Sequence, residues 1–252
     1  MAFSLSDHQH IMQQAALDVS RCYPNALSLD DQALLTTADQ EEDLNIFKKD
    51  THYSHYFNPE KIIKMRFRVT SDHRVLKLSL KHSLRSLAYI SHHIEDMATP
   101  MHVIPISHDY SDGFEEKVKI NADLSTHLTC VEMASLALEK TSFIEILRLT
   151  AENTLQSLRH DFLTGTVLNF ESGVGDQQTQ IPLNWFWQEG VGENFGKYGI
   201  LGNTYGEEDI KTKKYEVKIS KQEFADYKIK RLKFATLATV RTLLFGLSLD
   251  EK

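Results

Sequence analysis

Between positions 92 and 102 the chain reads HHIEDMATPMH, which gathers three histidines and two carboxylates into eleven residues. Imidazole nitrogens and carboxylate oxygens are the donors that hold divalent transition metals. On a helix, residues four apart share a face, so His92 and Asp96 point the same way and suit one ion. Pro100 then breaks the helix, because its ring removes a donor and clashes with the preceding turn. His102 follows that turn, where the redirected chain folds back beside the helix end. Asp96 has two oxygens and can bridge two ions, with His102 serving the second. Nitrogen and oxygen donors at this density favour zinc. H-x-x-x-D alone occurs on many solvated helices. H-x-x-x-D-x-x-x-P-x-H is more specific, because the breaker stands where the third ligand needs it.

Further donors flank this stretch. Asp43 stands twelve residues before His55 in DLNIFKKDTHYSHYFNP, and His55 leads into Tyr56, Phe57, Asn58 and Pro59. His8 follows Ala2-Phe3 near the start of the chain. His108 lies six residues after His102, and Phe114-Glu115 supplies an aromatic–acid pair. Taken singly, His8 and His10 read as solvated residues at a helix start, His52 as a loop histidine and His93 as a packed neighbour. His73, His82, His127 and His160 have no patterned partners and read as structural.

Taken together, these spacings resemble those of the zinc-dependent phospholipases C and the related single-strand-specific zinc nucleases, whose core motif is H-[YFL]-[FIL]-x-D-x-x-x-P-x-H. The matching motifs span residues 3 to 115, under half of the chain. The resemblance implies a single all-α multi-helix domain over residues 1–252 and two to three zinc ions. Asp43, His55, His92 and Asp96 would hold the first ion. His102, His108 and a carboxylate would hold the second. His8 and the bridging Asp96 would hold the third, with the N-terminal amine and carbonyl of the mature chain. For the second-site carboxylate, Glu115 has the aromatic neighbour and Asp112 has the four-residue spacing after His108; Glu115 is the expected ligand. Three positions depart from the family. His93 replaces an apolar or aromatic residue, Phe3 (preceded by Met1 and Ala2) stands where relatives begin with Trp, and Leu44 replaces the aromatic of choline-preferring relatives.

The implied activity is hydrolysis of the head-group phosphodiester of a glycerophospholipid at a membrane surface, with Asp43 orienting or deprotonating the attacking water. A single-strand nuclease and a non-catalytic zinc-binding relative are the alternatives. The resemblance also implies export, although the first twenty residues show neither a basic start nor a continuous apolar run.

The elements that must position these residues read as helical. Ile11, Ala15, Ala16 and Val19 form a stripe over residues 6–21, with Ser4 or Ser6 as the cap. A short helix is expected over 30–37, followed by a polar, aromatic-rich loop to Pro59. A long helix is expected from Asp72 to Met97, another from about Asp112, and helices onward to about residue 162. Nine of the eleven glycines fall in 165–206 together with Trp185, Phe186, Trp187, Phe195, Tyr198 and Tyr205. That segment is too apolar to be disordered; it is expected to wrap over the helical body, with room for a short hairpin. A last helix begins at Ser220, where Ser220 and Glu223 have capping-box spacing.

Composition sets outer bounds. The 252 residues are 41% hydrophobic and 25% charged, ordinary for a globular protein. No run of eighteen apolar residues offers a transmembrane helix. Net charge is −7, yet residues 211–233 hold nine basic residues against three acidic ones. Such a segment can attract a phosphate backbone or an anionic head group, or be a solvated helix face. The acidic remainder disfavours tight nonspecific binding of long nucleic acids. Two cysteines, Cys22 and Cys130, do not make a disulfide framework.

Overall fold

The computed structural model describes residues 4–44, 80–104, 106, 112–173, 177–190 and 196–247; at 42–44, 80–83 and 177 it describes the backbone only.

Helix α1 spans Leu5–Cys22 and is capped by Ser4, with Asp7 completing a capping box. Its apolar stripe is fully buried at Ile11, Ala15, Ala16 and Val19. Helix α2 spans Leu29–Leu44, two turns longer than its sequence pattern suggests, and buries Leu35, Ala38 and Asp39. Helix α3 covers Leu80–Asp96; the expected start at Asp72 lies outside the described residues. Pro100 does end this run, but it also opens a new turn. It occupies the first position of α4 (Pro100–Val103), where its missing N–H costs nothing and its fixed φ suits a helix. Three further helices follow: α5 (Gly113–Glu116), α6 (Cys130–Ala137) and α7 (Phe143–His160). The 26-residue α8 (Lys221–Gly246) closes the described chain.

The expectation of an all-α fold is overturned. Between α7 and α8 the chain builds two antiparallel sheets. Strands β1 (Phe162–Asn169) and β2 (Gln177–Pro182) form a hairpin, and β3 (Trp187–Gln188) pairs with β4 (Lys197–Tyr198). Strands β5 (Asp209–Lys211) and β6 (Tyr215–Ile219) complete a four-stranded sheet of order β2-β1-β6-β5. The physical reason is the period of burial. In β6 the side chains of Val217 and Ile219 are buried while Lys218 between them is exposed, and in β5 only Ile210 is buried. That alternation is a half-buried strand, written in segments too short to outweigh the surrounding glycines and lysines.

The sheet also redirects the expected capping box. Ser220 caps α8 by accepting from the Glu223 N–H, but the Glu223 carboxylate accepts from the Thr164 N–H on β1 at 3.0 Å. It therefore ties helix to sheet.

Helices α1, α2, α3 and α8 pack in a closed cycle, each against the next: α1 on α2, α2 on α3, α3 on α8 and α8 on α1. Helix α7 lies against α8 on one side and the α3–α4 corner on another. A four-helix arrangement directs one face of each helix into a shared interior, where facing side chains can build a ligand site.

Two cysteines make no framework, but Cys22 and Cys130 do form a single disulfide, which joins the end of α1 to the start of α6, 108 residues apart. A lone pair of cysteines with arbitrary spacing carries no pairing signal in a sequence; proximity in the fold decides it.

Candidate metal centre

Three helices of the four-helix cycle, with the short α4, contribute to one buried polar cluster. His8 comes from the second turn of α1, Asp39 from α2, and His92, His93, Glu95 and Asp96 from the last turns of α3. His102 comes from α4, beyond the Pro100 turn. His8, Asp39, His92, Glu95 and Asp96 are fully buried, and His93 and His102 nearly so. Carboxylates are rarely buried unless they are paired or coordinate a metal. Here three of them lie among four imidazoles, a donor set that could hold a cation.

The donor geometry fits that reading. His8, Asp39 and His92 each present one ligand atom within 4.8 Å of the others, so this trio could hold a metal ion. His92 Nδ1 lies 3.7 Å from Asp39 Oδ1. Asp96 divides its two oxygens. Its Oδ1 faces His8 Nε2 at 3.6 Å and His92 Nε2 at 3.8 Å. Its Oδ2 faces His102 Nδ1 at 3.9 Å and His93 Nδ1 at 4.0 Å. These separations are longer than hydrogen bonds. They lie just above the ligand–ligand edge of a tetrahedral zinc site, which is about 3.4 Å for metal–ligand distances near 2.1 Å. Asp96 therefore has imidazole nitrogens facing both of its oxygens. The rings of His8 and His92 stack with centroids 4.1 Å apart, which sets the spacing of the first pair.

The corner that presents Asp96 and His102 is held from behind. The Thr99 hydroxyl donates to the Asp96 carbonyl at 2.7 Å, and the Thr154 hydroxyl of α7 donates to the Met97 carbonyl at 2.6 Å. Buried Arg231 of α8 donates to the Ala98 carbonyl at 2.9 Å and to Thr154. Burial lowers the Arg231 pKa, with Tyr227 and Asp161 acting in the opposite direction.

The sequence-derived residues divide accordingly. His8, His92, Asp96 and His102 come together in the cluster. Glu115 is buried on α5, whose backbone carbonyl accepts from Lys228 Nζ at 3.0 Å; Lys228 also pairs with Asp7 at 3.0 Å. Asp112, the competing carboxylate, is the N-cap of α5, taking the Phe114 N–H on one oxygen and the Tyr198 hydroxyl on the other. His55 and His108 lie outside the described residues, as does the side chain of Asp43.

Three residues of the cluster were not among the expected ligands. Asp39 lies one turn before Asp43 on the same face of α2, a signal available only once α2 is known to extend that far. Glu95 accepts from His8 at 2.7 Å; its place between ligand positions concealed its own role. His93, read as a packed neighbour, faces Asp96 directly.

Comparison with protein-family models, curated proteins and solved structures returns no match for this chain.

Proposed function

We propose that this protein is a zinc-dependent phosphodiester hydrolase of the phospholipase C type, with the buried cluster of His8, Asp39, His92, Asp96, His93 and His102 as its metal centre. The single observation that supports it best is the position of Asp96, whose two oxygens face two separate pairs of imidazoles. Zinc bound there would supply a water acidic enough to ionise near neutral pH and a positive charge for the phosphoryl oxygens. Asp96 holds the two halves of the centre in register. Asp39 faces His92 and is placed to orient a water or accept its proton, the part the sequence assigned to Asp43. The bundle walls exclude bulk water, which strengthens every charge–charge contact inside.

We favour a lipid head group over a nucleic acid strand because Trp187 and much of the basic segment, which could serve a strand, are engaged in the fold. A single-strand nuclease needs exposed aromatic platforms and a basic track. Trp187 is buried against Phe114, Phe186, Tyr205 and Tyr227 and serves the core. The basic segment 211–233 is largely used by the fold. Lys228 and Arg231 are buried, and Lys211, Lys214, Lys218, Lys221 and Lys230 each lie within ion-pair distance of an acidic neighbour. Among the described residues no helix is long and apolar enough to cross a membrane, so lipid would be met at a surface.

The test is parallel turnover of phosphatidylcholine, phosphatidylglycerol, single-stranded DNA and a chromogenic phosphodiester by the zinc-loaded protein. Phospholipid cleavage that stops with chelator and returns with zinc is expected. Turnover of DNA alone would replace the lipid reading with the nuclease. Zinc binding without turnover of any of the four would reduce the protein to a zinc-binding relative.

A further inference from the structure

The polar row on α8 contains Thr236, Thr239 and Thr242, all fully buried. Thr236 and Thr242 donate their hydroxyls to carbonyls of their own helix, Leu232 at 3.0 Å and Ala238 at 2.8 Å. This is the ordinary way a buried threonine is satisfied in a helix. Thr239 does something else. Its hydroxyl crosses to α3 and donates to Glu95 Oε1 at 2.8 Å. The second oxygen of that carboxylate, Oε2, lies 2.7 Å from His8 Nδ1 on α1. Three helices are thus joined by two short hydrogen bonds through one buried carboxylate.

Carboxylate oxygens accept: Oε1 accepts from Thr239 and Oε2 faces His8 Nδ1, which puts the shared hydrogen on Nδ1. In the neutral ring that leaves the lone pair on Nε2, the nitrogen that faces Asp96 Oδ1 at 3.6 Å. We infer that Thr239–Glu95–His8 is a positioning relay that fixes the His8 tautomer and ring orientation so that Nε2 is presented as a metal ligand. The inference rests on the metal-centre reading given above. It makes metal affinity depend on a hydroxyl of α8 that touches no donor atom of the centre itself. Partners of ligand histidines act in this way generally: they set the tautomer and raise the basicity of the ligand nitrogen.

Two readouts test the relay in the full chain. The first is nitrogen-15 NMR of the metal-free protein, where His8 should show the Nδ1–H tautomer. The second is zinc affinity, measured by competition with a chelator. Glu95→Gln keeps an acceptor for His8 but removes the charge, and should weaken zinc binding by about 10- to 100-fold. Thr239→Val keeps the shape of α8 and should weaken it by a smaller factor, while Thr239→Ser restores it. An Nε2–H tautomer in the metal-free wild type would overturn the relay. So would unchanged zinc affinity in both Glu95→Gln and Thr239→Val. If Glu95→Gln does not fold, the Thr239 pair carries the affinity test. If the wild-type chain binds no zinc, the metal-centre reading fails, and the His8 tautomer alone then upholds or overturns the relay.

Discussion

Asp96 and Asp39 carry the heaviest consequences of any single residues in the centre. Asp96→Asn replaces one charged oxygen with an amide nitrogen that cannot ligate, so both imidazole pairs lose their common partner. Zinc affinity should fall by more than the roughly 10- to 100-fold lost with an outer-shell partner, as read by chelator competition, and the proposed phosphodiesterase activity should be abolished. Asp39→Asn should weaken binding by roughly tenfold or more, since His8 and His92 remain. The side chains legible in advance were those whose type already implies ligation and whose spacing lies within one element and its turn: His92, Asp96 and His102. Asp39 was not legible. The expected helix ended at residue 37, which left position 39 in a loop with no defined facing. Only the full length of α2 turns Asp39 inward beside Ala38 and Leu35.

At the scale of elements, the disulfide between α1 and α6 anchors the helix that carries His8. Closing a loop of this length is worth up to about 4.7 kcal/mol in the chain-entropy model, and native disulfides typically deliver roughly 2–5 kcal/mol. Cys22→Ser with Cys130→Ser should lower the unfolding free energy, read from a denaturant melt, by an amount in that range, and reductant should do the same to the wild type. The α7–α8 junction is pH-sensitive in a defined direction. Burial tends to raise the Asp161 pKa, but hydrogen bonds from Lys230 at 2.6 Å and Ser157 at 2.5 Å outweigh it and hold the carboxyl below its ordinary value. Its folded pKa is therefore lower than the unfolded value of about 3.9. The stabilisation is present above that value and is lost as pH falls through the folded pKa. Asp161→Asn should cost up to about 1 kcal/mol at neutral pH, a difference that vanishes in strong acid; a difference that persists there would refute the linkage. In the aromatic–glycine segment, a Cβ at Gly199 would overlap the carbonyl oxygens of Asn184 and Trp185. Gly199→Ala should destabilise by roughly 1–3 kcal/mol in a denaturant melt.

The same segment shows why helices were readable and strands were not. A helical stripe repeats over more than two turns, as from Ile11 to Val19, so its period declares itself. Strands β3, β4 and β5 have two or three residues each, too few to establish any period. Their pairing is decided by partners distant in sequence, as β1 pairs with both β2 and β6. The lysines of 211–218 added to the difficulty, since a charged, exposed position looks alike on a strand and on a helix.

Across the whole molecule, four helices converge on a polar centre that the hydrophobic core surrounds. A metal bound there would couple to folding, because the donors meet only when α1, α2, α3 and α4 are all in place. Zinc at 100 times its dissociation constant should stabilise the fold by about 2.7 kcal/mol, and a chelator should lower the thermal midpoint accordingly. The motif resemblance gave no hint of the sheet, because every matched residue lies before position 116 and the strands lie after position 161. The most direct measurement is the metal content of the purified chain by elemental analysis, paired with that of Asp96→Asn. About one zinc ion or more per wild-type chain, lost in the variant while the fold persists by circular dichroism, is the predicted result. A wild-type chain that holds no zinc in the presence of excess metal, and melts identically with and without chelator, would contradict it.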